Sequence, residues 1–238
     1  MVIVYHFAGS VKQYVQIHHC PGCGAPVPKC CPHPACRAEG SLIRWGTYER
    51  GACTGQADYR LRIQRVRCKV CGHTHSLLPD FLHPHRHYVL PLLQQVVELY
   101  LIVGLGFGRL MKHLPEFGPT PATVREWVRA FAYGAGHLLL DVVSRFVFGL
   151  APDSELSAAA PPHLGRSGQQ PRLQRAYHFW QLAEQLYAQV KVRQPRLHFA
   201  AGQLCSFLLH WLGQQGLPSR LFWSPVLATT PTTPFQTP

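Results

Sequence analysis

The residues best suited to chemistry in this sequence are cysteines, and two of them form the motif Cys68-Lys69-Val70-Cys71-Gly72. Two thiolates three residues apart can bind one metal ion across a tight turn, in which the glycine supplies backbone freedom. One pair fills only half of a tetrahedral site, so the chain must supply a second pair. The spacing therefore predicts a zinc knuckle, with Zn²⁺ as the cofactor.

Two upstream pairs can complete this site: Cys31 with Cys36, or Cys20 with Cys23. We favour the first pair, because the 31 residues between Cys36 and Cys68 suit two short hairpins without a large insertion. Cys20 and Cys23 stay open as alternative ligands. The predicted metal ligands are Cys31, Cys36, Cys68 and Cys71.

The other possible ligands are given weaker roles. Cys30 and Cys53 are expected to be reduced thiols, although Cys20, Cys23 and Cys30 together could be part of a second site. His73 and His75 are the alternative nitrogen ligands. A redox-active C-x-x-C motif is the main rival to zinc, but no βαβ pattern surrounds Cys68 and Cys71.

The composition points to an anionic partner. The formal net charge is +12, the sequence pI is about 9.6, and only 11 residues are acidic. This balance favours nucleic acid first and a membrane surface second. Nine cysteines, an odd number clustered towards the N-terminal end, favour a metal in a reducing compartment over a disulfide scaffold.

No part of the sequence predicts a leader peptide or a membrane span. The first residues lack a basic segment and a cleavage pattern. The apolar run 88–103 contains Glu98, and the run 137–150 contains Asp141 and Arg145. We therefore expect a cytoplasmic protein without a membrane partner.

The basic excess lies mainly around the cysteines, since residues 1–90 carry 11 Lys and Arg against 4 Asp and Glu. Residues 59–63 alternate apolar and basic side chains, which predicts a strand with a positive face. The alternation slips at Val66, as a β-bulge would explain. Charges on a solvated edge strand can also serve only to discourage aggregation. We favour phosphate contact by five cations, here called the basic strand cluster: Arg60, Arg62, Arg65, Arg67 and Lys69.

Three helices are predicted next, over residues 89–103, 109–114 and from Pro121 to about residue 133. Thr120 is the expected N-cap of the third helix, with Pro121 at its first position. Short turns between these helices indicate a helix-turn-helix, although a plain three-helix bundle has the same periodicity. The candidate DNA-contacting residues of the third helix are Thr123, Arg125 and Arg129.

The expected fold is α+β: a small β-rich zinc ribbon, then a helix-turn-helix-like bundle, then a mostly helical and disordered C-terminal region. The predicted units are a ribbon over 1–87, a helical domain over 88–149, a linker over 150–171, a helical region over 172–215 and a disordered tail over 216–238.

Several motifs between residues 31 and 131 resemble the N-terminal DNA-binding part of bacterial insertion-sequence transposases, in which a zinc ribbon precedes a helix-turn-helix. The same run is similar to a transposase-associated bacterial domain family of unknown function. The motifs are Cys-Pro-His-Pro-Ala-Cys at 31–36, Leu-Ile-Arg-Trp-Gly-Thr-Tyr-Glu-Arg at 42–50, Arg-Val-Arg-Cys-Lys-Val-Cys-Gly-His-Thr-His at 65–75, Leu-Leu-Pro-Asp-Phe-Leu at 77–82 and Thr-Val-Arg-Glu-Trp at 123–127.

Active transposases of this kind continue into a catalytic domain with three carboxylates that hold two divalent metals. After residue 131 only four acidic residues remain, without the strands that would position them: Asp141, Asp153, Glu155 and Glu184. We therefore expect no nuclease domain and no enzyme activity. The sequence predicts a zinc-dependent protein that binds double-stranded DNA, as a transposase-related accessory, regulatory or truncated protein. The alternatives are an RNA-binding ribbon and a zinc-stabilised protein-interaction module.

Overall fold

A computed structural model describes residues 2–18, 24–84, 86–150, 170–194, 199 and 203–217. Most of the predicted linker and tail, residues 151–169 and 218–238, lies outside this part of the chain. The described part is a mixed α/β structure with four strands and seven α-helices. The elements are β1 (Val2–Tyr5), α1 (Val11–His18), β2 (Leu42–Cys53), β3 (Asp58–Cys68), β4 (Thr74–Pro79), α2 (Leu90–Val97), α3 (Phe107–Lys112), α4 (Pro121–Tyr133), α5 (Leu140–Leu150), α6 (Gln170–Arg193) and α7 (Leu204–Gln214).

The four strands form one sheet in the order β1-β4-β3-β2. β2 and β3 make a long antiparallel hairpin whose pairing runs from Leu42 opposite Cys68 to Cys53 opposite Asp58. β4 pairs antiparallel with β3, and β1 returns to pair parallel with β4. The open end of the hairpin therefore lies at the cysteine end of the sheet, where β3 ends at Cys68.

β3 is buried on opposite sides at its two ends. Leu61 and Ile63 belong to a large core shared with the helices, whereas Val66 and Cys68 belong to a small core around the cysteines. Successive side chains of a strand point to opposite faces, so these two pairs lie on different faces of the sheet. This change of buried face explains why the alternation of apolar and basic residues in the sequence slips at Val66. The register shift itself lies in β2, between Arg44 and Gly46.

One continuous helix runs through α4 and α5. A π-helical segment, Gly134–Leu139, joins them, so the helix predicted to end at about residue 133 continues to Leu150. Gly134 keeps a right-handed helical backbone, and the chain does not turn there. A second π-helical segment, Glu98–Ile102, extends α2 in the same way.

The large core joins the predicted ribbon, the predicted helical domain and the predicted helical region of 172–215. Its buried side chains run from Tyr14 in α1 to Leu212 in α7, and they include residues of the sheet and of α2, α4, α5 and α6. Phe131 of α4 meets Phe179 and Trp180 of α6 edge-on, with ring centroids 6.0 and 5.9 Å apart. The core therefore crosses the predicted boundary between residues 87 and 88.

The helix Pro121–Leu150 is 30 residues long and, by length and composition alone, could cross a membrane. Half of its most apolar window is buried inside the protein. Val124, Trp127 and Phe131 all pack into the large core. The buried half of this helix is thus used for packing inside the protein.

Because α6 packs into the same core as the sheet, we expect Phe179→Ala to destabilise the whole molecule by about 3–5 kcal/mol through the cavity it leaves. Chemical denaturation followed by tryptophan fluorescence and circular dichroism would measure this loss in one shared transition. Val192→Ala, at an 82% exposed position of the same helix, is the control and should change stability by less than about 0.5 kcal/mol. A separate early transition for α6 in the Phe179 variant would show that the core is not shared.

Candidate metal centre and basic surface

The structure brings the four predicted cysteine ligands together. The Sγ atoms of Cys31, Cys36, Cys68 and Cys71 all lie within 4.8 Å of one another. Cys31 Sγ is 3.7 Å from Cys71 Sγ, and Cys36 Sγ is 3.7 Å from Cys68 Sγ. Zinc–sulfur bonds of about 2.3 Å give a tetrahedron with an edge of about 3.8 Å, whereas a disulfide needs about 2.05 Å. The four side chains can therefore bind one metal ion, and the cluster is compatible with a zinc ribbon.

Backbone hydrogen bonds place each pair of sulfurs. In the first segment, the N–H of Cys31 donates to the carbonyl of Ala38 at 3.0 Å, and the N–H of Cys36 donates to the carbonyl of His33 at 2.9 Å. In the second, the N–H of Gly72 donates to the carbonyl of Cys68 at 3.0 Å. Gly72 has a φ of +73°, which explains why glycine follows the cysteine pair.

The two segments are also joined directly. Ser41, just before β2, accepts a backbone hydrogen bond from Lys69 N–H at 2.9 Å through its carbonyl. Its hydroxyl donates to the carbonyl of Ala38 at 2.9 Å and lies 3.2 Å from Cys68 Sγ. Ser41 was not among the residues predicted from the sequence, although it directly precedes Leu42, the partner of Cys68 in the β2–β3 pairing.

The thiols of Cys31 and Cys68 have pKa values shifted in opposite directions. Backbone N–H of Cys71 and the Ser41 hydroxyl lower the pKa of Cys68 to about 6, because both stabilise its thiolate. Burial raises the pKa of Cys31 to about 12, because it penalises the charged form. A bound cation would compensate the charge of both thiolates, so the chemistry of the cluster suits a metal.

Histidines surround the cluster without joining it. The buried His75 of β4 has its Nε2 atom 3.6 Å from Cys31 Sγ, and burial lowers the pKa of its imidazole. The rings of His33 and His73 stack with centroids 4.0 Å apart. The predicted alternative ligands His73 and His75 thus lie beside the cysteines, but the four sulfurs alone make up the ligand group.

Cys30, Cys53 and Cys205 are the further cysteines of the described residues, and none of them belongs to this group. Cys30 is exposed and Cys53 is buried, and both are free thiols. Burial also raises the pKa of Cys53. The alternative ligands Cys20 and Cys23 fall outside the described residues.

All five members of the basic strand cluster are exposed, but the strand divides them between two faces. Arg65 and Arg67 lie on the face of Leu61 and Ile63, at the cysteine end. Arg60 and Arg62 lie on the opposite face, nearer the hairpin turn. Lys69 follows in the Cys68–Cys71 turn. Within the described part of the chain, no carboxylate forms an ion pair with any of the five.

The predicted contact residues of the third helix all lie in α4, with Thr123 and Arg125 in its first half and Arg129 in its second. Thr120 Oγ1 accepts a hydrogen bond from the Thr123 N–H at 3.3 Å, and the two hydroxyls are 2.9 Å apart. Arg125 lies over the Phe107 ring of α3, 5.6 Å from its centroid, and Arg129 is exposed. The segment from α3 to α4 spans residues 113–120, longer than the three or four residues of a typical helix-turn-helix turn.

An ion pair that the sequence did not indicate links α4 to the connection that follows β4. Arg86 Nη1 donates to Glu126 Oε2 at 2.7 Å. The segment that contains Arg86 is itself held by Arg50, whose guanidinium donates to the carbonyls of His83, Pro84 and Arg86. The β2 strand, the connection after β4 and α4 are therefore linked by arginine contacts.

Comparisons with known proteins identify one partial similarity. Residues 31–101 match a family model described as "Domain of unknown function (DUF6431)". The matched stretch contains the four cysteines and β2 to α2, and it ends before α4. No curated protein and no solved structure matched the chain. The resemblance to transposases therefore stays a prediction.

If the four cysteines bind one zinc ion, the purified protein should contain one zinc per chain by elemental mass spectrometry. Cys31→Ser and Cys68→Ser should each lose most of this zinc, because serine removes one thiolate of the tetrahedron. Cys30→Ser is the matched control and should keep it. Full zinc content in the Cys31 variant would contradict this ligand set and favour the Cys20 and Cys23 alternative.

The Ser41 hydroxyl should strengthen metal binding through its contact with Cys68. We expect Ser41→Ala to weaken zinc affinity about 10- to 100-fold, the usual effect of losing a partner that orients a ligand. Competition with a chromogenic chelator would measure the change. Ser144→Ala, which removes a hydroxyl bound within α5, is the control. Equal affinities for the Ser41 variant and the wild type would show that this contact does not support the site.

Proposed function

We propose that this protein is a zinc-dependent, non-catalytic DNA-binding protein related to insertion-sequence transposases, acting as an accessory, regulatory or truncated member of such systems in the cytoplasm. The observation that carries the proposal is the combination of a four-cysteine cluster with an exposed basic strand that runs directly into it. The five cations have no ion-pair partners among the described residues, so their charge is available to phosphates.

Zinc in this proposal has a structural role. Four cysteine ligands complete a tetrahedron and leave no open position for a substrate or a water molecule. The metal would hold the segment around Cys31 and Cys36 against the end of β3. Its removal should therefore loosen the base of the β2–β3 hairpin and disturb the cations that the hairpin carries.

The two described carboxylates that follow residue 131 have partners among the helices. Asp141 of α5 pairs with Arg175 of α6 at 3.2 Å, and Glu184 accepts a hydrogen bond from the Trp180 indole at 3.1 Å. In the described residues, the four cysteines are the one group of three or more possible metal ligands. Asp153 and Glu155 lie outside this part of the chain.

Two surfaces are proposed to contact the DNA. The basic strand cluster would neutralise phosphates, and α4 would enter the major groove with Thr123, Arg125 and Arg129 as its contacting residues. Arg125 and Arg129 are one helical turn apart, about 6 Å along the axis, and both are exposed on the side opposite the core residues Trp127 and Phe131.

The two alternatives have less support. α6 and α7 bury most of their apolar side chains in the large core, so a protein partner would have to bind their exposed sides. An RNA partner would use the same cations as DNA. Direct competition between duplex DNA and duplex RNA for the protein distinguishes these two polymers.

Binding to a labelled DNA duplex at two salt concentrations, with and without a zinc chelator, tests the proposal. If six to ten phosphates are neutralised, affinity should fall by about 10³–10⁵ between 50 and 200 mM salt, and the chelator should abolish binding. The double substitution Arg65→Ala with Lys69→Ala should reduce the number of neutralised phosphates, given by the slope of log affinity against log salt concentration, by about two. Arg145→Ala, at an exposed cation of α5, is the control.

Absence of binding at low salt would overturn the proposal. Binding that survives the chelator unchanged would contradict the zinc dependence and leave α4 as the contacting element. A salt dependence unchanged in the Arg65 and Lys69 variant would show that the basic strand cluster does not contact the backbone.

A further inference from the structure

Trp45 stands out among the tryptophans of the described residues because it is half exposed, at 51%, whereas Trp127, Trp180 and Trp211 are at most 4% exposed. It belongs to neither hydrophobic core. Trp45 is the extra residue of β2 at the register shift between Arg44 and Gly46. Gly46 follows it with a φ of +124°, a conformation that favours glycine. Bulges of this kind redirect a side chain, and they are frequent beside functional sites.

The guanidinium of Arg67 packs against one face of the Trp45 indole. The Arg67 guanidinium carbon lies 4.6 Å from the Trp45 ring centroid. Arg65 is paired with Gly46 across the hairpin, so Arg65 lies beside the bulge on the same face of the sheet as Arg67. Exposed apolar residues are ordinary when they occur singly. Trp45 differs because a bulge redirects it, a guanidinium stacks on it and a second cation lies next to it.

We propose that Trp45 and Arg67 form a stacking platform for an unpaired base of a nucleic acid. The platform presents a flat aromatic surface, and every base has a face that can stack on it. Arg65 and Lys69 supply positive charge for the flanking phosphates. This inference rests on the proposed function, and it adds that the protein binds a single-stranded or unpaired segment as well as duplex DNA.

The geometry of the duplex explains why the base must be unpaired. In double-stranded DNA the faces of the bases are stacked inside the helix, and the grooves present only base edges. An indole can reach a face only where a base has left the stack, as in a single strand or at a flipped nucleotide. Trp45 should therefore contribute to single-strand binding and little to duplex binding.

The test compares a fluorescent oligothymidine single strand with a labelled duplex of mixed sequence, using the full-length, zinc-loaded protein. Trp45→Ala should weaken single-strand binding roughly 5- to 150-fold, the range found for removing an aromatic stacking partner, and leave duplex binding within about threefold. Trp45→Phe keeps an aromatic ring and should retain most of the affinity. Val192→Ala, at an exposed apolar position of α6, is the control.

Trp45 fluorescence gives an independent readout. The other described tryptophans are buried, so bound oligothymidine should quench mainly the fluorescence of Trp45. The quenching seen in the wild type should therefore be lost in Trp45→Phe. Unchanged single-strand affinity in Trp45→Ala, with duplex binding intact in the wild type, would overturn the platform and leave the proposed function standing. An equal loss on both polymers would overturn the requirement for an unpaired base. Wild-type protein that binds neither polymer would overturn both proposals.

Discussion

The convergence of four cysteine sulfurs is the constraint on which the cysteine end of the sheet depends. These sulfurs come from two segments, residues 31–36 and 68–71, that are far apart in the sequence. Cys31, Cys68, Leu42 and Val66 are all buried in a core too small to be stable through apolar burial alone. Without a metal, this core would also contain the thiols of Cys31 and Cys68, whose pKa values are shifted in opposite directions. A metal ion bound to all four sulfurs would therefore fix the 31–36 segment to the end of β3, beside the backbone hydrogen bond from Lys69 to Ser41 that joins the start of β2 to the same place.

The sheet separates this small core from the large helical one, and its burial explains where the cations lie. One face is covered at the cysteine end by the small core, and the other face is covered nearer the hairpin turn by the helices. Two diagonal parts of β3 are left uncovered. Arg60 and Arg62 occupy one of them, and Arg65 and Arg67 occupy the other. The alternation of apolar and basic residues in β3 predicted a single positive face. The structure instead has two exposed basic surfaces, because a different core covers the sheet at each end of the strand.

The sequence allowed prediction of features that depend on local spacing. The favoured cysteine pairs, the strand at 59–63, the break after residue 103 and the Thr120 cap all lie where the local pattern indicated. Features that depend on distant contacts could not be predicted. Nothing in residues 2–5 indicates pairing with residues 76–79, and nothing around Gly134 shows that the helix continues through a π-helical segment. The Ser41 contact and the display of Trp45 also require the strand register, which the sequence pattern does not determine.

The most direct test of this account is X-ray absorption at the zinc edge of the purified, full-length protein. The account predicts four sulfur neighbours at about 2.3 Å and no nitrogen in the first coordination shell. Three sulfurs with one nitrogen at about 2.0 Å would contradict it and indicate that a histidine, with His75 the nearest to Cys31, replaces a cysteine. Absence of zinc in protein purified without chelators would remove the constraint on which the cysteine end of the sheet and the proposed function depend.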